Sequence, residues 1–297
     1  MVLYLSTEGY RDITVRKNMQ VQWYPGHMAK AKRAMLEDVK LVDMVVELLD
    51  ARAPRSCKNP DIDKIAGGKL RLVILNKADL ADEKANKLWK EYFTGEGINA
   101  CLVDARNSSV KKPVVDEIMK VAEKKFERDR RRGIINRPVR IMVCGIPNVG
   151  KSTLINSIAG RASAKTGNKP GVTKGNQWIK LNAKVEMLDT PGLLWPKFED
   201  DEVGTNLAFL GSINDEIMEK SELAANLIKK LSDVAPNALT ERYGIEMDEN
   251  PYVVLEQIAV ARKALKKGGE PDADRACLFV MDDFRSGRLG RITLEKP

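Results

Sequence analysis

The sequence is poor in the residues that build metal and redox sites. It holds one histidine, His27, among 297 residues, so no site built on two histidines can form. Its four cysteines, Cys57, Cys101, Cys144 and Cys277, lie far apart and include no Cys-x-x-Cys pair. Neither a structural zinc site nor a disulfide framework is indicated, and reduced cytoplasmic thiols fit this pattern. No apolar run reaches the ~18 residues that a membrane-spanning helix needs. The opening Met1-Val2-Leu3-Tyr4-Leu5 is too short for a signal-peptide core. The expected compartment is the cytoplasm.

What is present is an ordinary globular balance. Hydrophobic residues make up 43% and charged residues 31%, which excludes global disorder and collagen-like or coiled-coil architectures. At a prior of about 150 residues per domain, the length suggests two domains. The charge is 50 Lys and Arg against 42 Asp and Glu, a net +8. It is unevenly spread. Residues 206–297 hold 13 Lys and Arg against 16 Asp and Glu, a net −3, so the first 205 residues carry +11. That excess points to a polyanionic partner. The densest basic run is Lys124–Arg132, with Arg137 and Arg140 behind it. It reads either as a solvated helix face or as a nucleic-acid contact.

Residues 1–20 are polar and aperiodic, and Trp23–Lys40 is basic and helix-compatible. Five apolar runs then read as buried strands: Leu41–Leu49, Leu70–Leu75, Ile98–Val103, Val139–Cys144 and Val185–Leu188. Charged stretches of helical length, such as Ala81–Phe93 and Val114–Arg132, lie between them. Strands alternating with helices predict an α/β fold with a mostly parallel sheet. Beyond Gly204 the periodicity is helical, interrupted at Pro236, Pro251 and Pro271. Residues 206–297 therefore read as a small all-α domain.

Gly145-Ile-Pro-Asn-Val-Gly150-Lys151-Ser152 fits G-x-x-x-x-G-K-[ST] between a predicted strand and a predicted helix. Such a loop closes backbone N–H groups around a phosphate at a helix N-terminus. The motif places Asn148, Val149, Gly150, Lys151, Ser152 and the following Thr153 around the phosphates. Lys151 reaches the β- and γ-phosphates, and the Ser152 hydroxyl ligates Mg²⁺. Asp189-Thr-Pro-Gly192 fits D-x-x-G, 38 residues after Lys151. About one such match is expected per chain by chance, so its weight comes from its place after a phosphate loop and a second strand. There Asp189 holds Mg²⁺ through water, and the Gly192 N–H senses a γ-phosphate. Between the two motifs, Thr173 in Lys169-Pro-Gly-Val-Thr173-Lys-Gly can reach Mg²⁺ when a γ-phosphate is present.

Asn76-Lys77-Ala78-Asp79 closes a predicted strand and fits N-K-x-D, whose chemistry is guanine reading. The Asp79 carboxylate can accept from guanine N1–H and the exocyclic amine at once. Adenine offers neither donor there, and sites of this kind can discriminate by ~10⁴ or more. Lys77 packs its stem over the base. Asp104-Ala105-Arg106 ends another strand and loosely fits the S-A-[KR] element whose backbone N–H contacts guanine O6, with Asp104 where Ser is usual. GTP and GDP are therefore the expected ligands.

The order is the informative feature. The base-reading elements at 76–79 and 104–106 precede the phosphate loop at 145–152, which precedes Thr173 and Asp189–Gly192. In Ras-like GTPases the phosphate loop comes first. With Trp23-Tyr-Pro-Gly-His-Met-Ala-Lys-Ala, Leu49-Asp-Ala-Arg-Ala-Pro and Pro170-Gly-Val-Thr-Lys-Gly-Asn-Gln-Trp, this sequence resembles the circularly permuted GTPases, and among them the ribosome biogenesis GTPase A family. The resemblance spans roughly residues 21–297. It implies an N-terminal extension at 1–20, a circularly permuted Ras-like GTPase domain at 21–205 and a helical RNA-binding domain at 206–297. It implies GTP hydrolysis coupled to late assembly of the large (50S) ribosomal subunit. The partners would be the subunit precursor and its ribosomal RNA, not DNA or a membrane.

Gly192 is followed by Leu193-Leu194, where small GTPases usually place a water-orienting Gln. The resemblance points to His27 for that role, since a neutral imidazole can orient water. It also likens Asn148 to the asparagine by which cation-dependent GTPases hold K⁺. Two other readings stay open: a non-catalytic assembly factor that merely holds nucleotide, motivated by the leucines, and a permuted GTPase of the small subunit.

Overall fold

The structure is a computed structural model that describes residues 33–160, 177–189, 200–213 and 219–297. Its centre is a six-stranded sheet in the order β3-β2-β1-β4-β6-β5. The strands are β1 (Met44–Asp50), β2 (Leu70–Asn76), β3 (Asn99–Leu102), β4 (Val139–Gly145), β5 (Gln177–Lys180) and β6 (Val185–Asp189). All pairings are parallel except β5 with β6. The α/β, mostly parallel architecture expected from the alternating runs is what forms. Every residue of β1 is buried, Glu47 and Asp50 included, as in a parallel strand covered on both faces.

The two faces are covered unequally. One carries Met44, Val46, Leu48, Ile141 and Val143 into the main core, which is continuous with the C-terminal helices. The other carries Val45, Met142, Cys144 and Leu188 into a small cluster closed by Met35, Val39, Ile62 and Ile65. Among the described residues, a helical segment at 33–38, a 3-10 turn at Val39–Leu41 and the short helix Pro60–Ile65 supply that cover.

Three expectations are corrected in detail. Leu41 belongs to the 3-10 turn and is exposed, so β1 begins at Met44. The stretch expected as one helix over Val114–Arg132 is two, Lys111–Val121 and Glu123–Arg131, joined at Ala122, where ψ opens to −2°. β5 has no counterpart among the expected strands, because a four-residue edge strand leaves too short a pattern. The helix Glu83–Gly95 starts where Asp82 accepts the Ala85 N–H at 2.8 Å, a side-chain N-cap.

From Asp201 onward the described elements are helices: Asp201–Phe209, Lys220–Val234, Ala238–Tyr243, Pro251–Ala261 and Ala273–Arg285, with one isolated bridge between Leu265 and Pro271. The last residues return to the sheet domain as a strap. Ile292 N–H donates to Leu80 O at 3.0 Å and Leu294 N–H to Arg52 O at 2.7 Å. Ser56 donates through its N–H and hydroxyl to the Glu295 carboxylate at 2.9 and 2.7 Å. Among the described residues no helix is long and apolar enough to cross a membrane.

Arg52 is the main tie between the helices and the sheet, and it is 1% exposed. Its guanidinium donates to both Asp50 oxygens at 3.0 and 2.9 Å and to the Phe284 and Arg285 carbonyls at 3.2 Å each. Those carbonyls end the helix Ala273–Arg285, beyond the reach of its regular hydrogen bonds; the Phe284 carbonyl also accepts the Gly287 N–H at 3.1 Å. Burial alone would raise the Asp50 carboxyl, but Arg52 and Lys77 hold it well below the usual carboxylate range. Arg52→Met keeps the side-chain volume yet leaves Asp50 with one cationic partner. It should cost about 3–5 kcal/mol of stability, read as a lower denaturation midpoint; a change below about 1 kcal/mol would show that the pair carries little.

Candidate functional site

β4 turns at Gly145 into the loop that opens the helix Lys151–Ala159. Both glycines of the loop motif are required by space. A Cβ on Gly145 would come within 2.7 Å of the Leu48 carbonyl oxygen. Gly150 has φ +94°, and a Cβ there would collide with the Asn76 amide. Lys151 is buried, and Ser152 and Thr153 are half-buried in the first helical turn. Val149 is buried beneath the loop and Asn148 is exposed on it.

Asn76, at the end of β2, joins the loop to the base-reading elements. Its Nδ2 donates to Val149 O at 2.8 Å, and its Oδ1 accepts from the Ala105 N–H at 2.9 Å. Ser157, on the phosphate-loop helix, adds a bond to Ala105 O at 2.6 Å. Residues 76–79, 104–106 and 148–153 thus form one cluster across the edges of β2, β3 and β4. Lys77 has φ +58° and is held there by Asn148 O at 2.9 Å and Asp50 Oδ2 at 2.8 Å. Asn148, with φ +60°, donates from its amide to Gly211 O at 2.6 Å.

Asp79 and Asp104 share Arg106. The guanidinium donates from Nη2 to Asp79 Oδ2 and from Nε to Asp104 Oδ1, the latter at 3.1 Å. The Arg106 contacts hold the Asp104 carboxyl below its ordinary range against the opposing pull of burial. The second Asp79 oxygen, Oδ1, is out of water and has no hydrogen-bond partner among the described residues. A buried acceptor left open in this way calls for a donor. A cavity of about 170 Å³ lies here, lined by Asn76, Lys77, Ala105, Arg106, Gly150 and Thr153 among others.

Leu80 and Arg285 also line that cavity, and sequence reasoning missed both. Arg285 reaches it from the far end of the chain and is braced by the Phe209 and Ala208 carbonyls at 3.0 and 2.8 Å. Asp50 and Arg52 carry part of the family resemblance but had no role assigned to them; their signal was the polar Asp-Ala-Arg stretch directly after an apolar strand.

The metal expectations rest on oxygen donors suited to Mg²⁺. Ser152 is in place. Asp189 ends β6 opposite Val143 of β4, two residues before Gly145, and only its backbone is described. His27, Thr173, Gly192, Leu193 and Leu194 lie outside the described residues, as do residues 1–20.

A family model described as "50S ribosome-binding GTPase" matches residues 140–257. The match starts in β4 and leaves Asn76–Asp79 outside. Ribosome biogenesis GTPase A of Priestia megaterium is 43% identical over 281 residues, covering 94% of this chain and 98% of the relative. That of Thermotoga maritima is 35% identical, covering 93% and 95%. The GNP-bound crystal structure of YlqF from T. maritima aligns with a TM-score of 0.63 at 30% identity, over 90% of this chain and 98% of that one.

Asn76→Ala should test the junction. It strands the Val149 carbonyl and the Ala105 N–H in a buried place, each at a cost of ~1–3 kcal/mol. A combined loss of roughly 2–4 kcal/mol in chemical denaturation is expected, and an unchanged midpoint would remove Asn76 as the joint between the loops.

Proposed function

The chain belongs to the ribosome biogenesis GTPase A family, and we propose that it binds GTP in the cluster around Asn76 and hydrolyses it to drive a late step of 50S subunit assembly. The observation that carries this reading is the junction at Asn76. One side chain bonds the phosphate loop and the 104–106 turn at once, so motifs scattered over the sequence form one cup. The relatives are named for ribosome biogenesis, which supports a large-subunit precursor and its ribosomal RNA as partner over a small-subunit role. The absence of any described membrane-crossing helix leaves a cytoplasmic place of work compatible with this reading.

Guanine would be read by Asp79. Arg106 already offers planar N–H groups to that carboxylate, and the guanine N1–H and amine would take them over, reaching the open Oδ1 as well. Lys77 would cover the base, its amine tethered by Asp50 and Asn148 O, and the backbone of 104–106 would meet guanine O6. The loop N–H groups from Asn148 to Thr153 and the helix N-terminus would hold the β-phosphate, with Lys151 on the β- and γ-oxygens. Ser152, Thr173 and Asp189 would hold Mg²⁺, which neutralises charge developing on the phosphates. The Asn148 amide nitrogen is taken by Gly211, so a K⁺ ion would be met by its Oδ1. Gly192 would sense the γ-phosphate, and His27 would orient the attacking water in place of the missing Gln.

Two measurements test this. Asp79→Asn should weaken GTP and favour xanthine nucleotides, because the amide donates where the carboxylate accepted; unchanged GTP affinity in equilibrium titration removes Asp79 from the base site. Turnover should then be followed alone and with large-subunit particles, in K⁺ and in Na⁺. Stimulation by particles and by K⁺ is expected. His27→Ala should keep GTP and particle binding but lose roughly 10²-fold of the stimulated rate, about 3 kcal/mol. Equal stimulated rates for variant and parent would reject His27, and absence of turnover in every condition would favour the non-catalytic reading that Leu193 and Leu194 suggest.

A further inference from the structure

We propose that the end of the sheet opposite the phosphate loop is a second contact surface, one that takes a single-stranded stretch of RNA by stacking a base on Trp178 and gripping the flanking phosphates with arginines. The inference rests on the large-subunit reading for the identity of the RNA, while the surface itself follows from register, exposure and charge.

The register places four side chains on one face. Arg140 pairs with Glu186, Glu186 with Lys180, and Met142 and Trp178 both pair with Leu188. Arg140, Glu186, Lys180 and Trp178 therefore extend the thinly covered face toward the β5 edge. Among the described residues the cover supplied by Met35, Val39, Ile62 and Ile65 reaches as far as Leu188, and Trp178 is 41% exposed. The Arg140 guanidinium lies 5.0 Å from the Trp178 ring centroid and 3.3 Å from Glu186 Oε2. A tryptophan flanked by a guanidinium is a ready platform for a nucleobase, since every base offers a π-face to stack.

At the same end of the sheet a groove of about 720 Å³ lies between the helix Glu123–Arg131, the 134–137 turn and the β5–β6 hairpin; Arg130, Arg137 and Lys184 line it together with Glu123, Glu127 and Asp129, while Trp178, Arg140 and Lys180 lie outside its wall. Arg128, Arg131 and Arg132 stand beside it, exposed, and make no ion pair among the described residues. A helix C-terminus attracts cations, which accounts for the arginines of the helix end. It does not account for Arg137, Arg140, Lys180 and Lys184, which converge from other elements. Two of these four, Arg137 and Arg140, are arginines, whose planar forks match phosphate oxygens two at a time; each also faces a carboxylate, Asp43 at 3.6 Å and Glu186 at 3.3 Å. An anionic membrane or an acidic peptide would also answer the charge, and both serve as competitors in the test below.

The surface is independent of the nucleotide site. Arg140 is the second residue of β4 and Gly145 the last, a separation of about 17 Å at ~3.3 Å per residue. That exceeds the ~8 Å screening length at physiological salt, so surface charges should leave GTP affinity within about twofold.

The test is a titration of the full chain with a uridine RNA of about twelve nucleotides, within the ~4–16 typical of single-strand sites, followed by tryptophan emission at several KCl concentrations. Quenching is expected, with an affinity that falls as salt rises. Trp178→Leu should remove most of the quench and weaken binding roughly tenfold. Arg130→Gln with Arg137→Gln should lower the slope of log affinity against log salt by about 0.7 per lost contact without altering GTP affinity or thermal stability. No quench in the parent, full affinity in Trp178→Leu, an unchanged slope in the arginine pair, or equal competition by polyglutamate or phosphatidylserine vesicles would overturn the proposal. Particle-stimulated turnover, measured in parallel, separates the two readings. Its absence with RNA binding intact defeats the assembly role alone, and its presence with RNA binding absent defeats the surface alone.

Discussion

Asp50 ends the central strand with its carboxylate 1% exposed, and the arrangement of the site depends on how that charge is satisfied. A lone buried carboxylate is too costly to persist, and losing one partner of a buried pair is worse than never having the pair. Asp50 has two cationic partners, and each belongs to another part of the molecule. Arg52 carries the charge to the end of the helix Ala273–Arg285. Lys77 carries it to the phosphate loop through Asn148 O. The strain of a left-handed lysine, on the order of 1 kcal/mol, is offset by those two bonds. One buried charge therefore fixes helix end, base-reading turn and phosphate loop relative to each other.

The permuted order changes which segment comes after the strand that would sense the γ-phosphate. β6 leads toward the helix Asp201–Phe209, whose end is bonded from two sides: Asn148 reaches Gly211 O, and Arg285 reaches the Phe209 and Ala208 carbonyls. Arg285 also lines the cavity beside Asn76. The helical part of the chain is thus joined to the base pocket and to the phosphate loop by separate contacts. Any ligand that binds one arrangement of these contacts better than another shifts the helices, and by linkage a partner of the helices shifts nucleotide affinity in the same ratio.

Charge divides the molecule in the same sense as topology. The strand ends that carry the phosphate loop gather ligand-binding groups, as open parallel sheets do. The opposite ends carry several arginines, of which Arg140 lies against the exposed Trp178. The helical part, net −3, leaves the whole positive excess of the chain on the sheet domain.

Much of this is legible in the order of residues. Short, mostly apolar runs such as Met44–Leu49, interrupted at Glu47 alone, fit strands buried on both faces, and Gly145 and Gly150 are where the backbone leaves no room for a Cβ. Motif chemistry is local in kind: a carboxylate at Asp79 can accept hydrogen bonds and a hydroxyl at Ser152 can offer an oxygen wherever the chain runs, although the fold tunes how strongly. Fold class, nucleotide-binding chemistry and permuted order are therefore properties of the linear chain. Contacts between residues far apart in it are not, because pairing depends on geometry that no residue type encodes alone. Nothing in residues 273–285 marks Arg285 as a wall of the cavity at Asn76, or Phe284 as the acceptor for Arg52. Nor does Asn76 announce that its two amide atoms will serve Val149 and Ala105. Those pairings are settled in three dimensions, since a buried polar group takes whichever partner folding brings within about 3 Å.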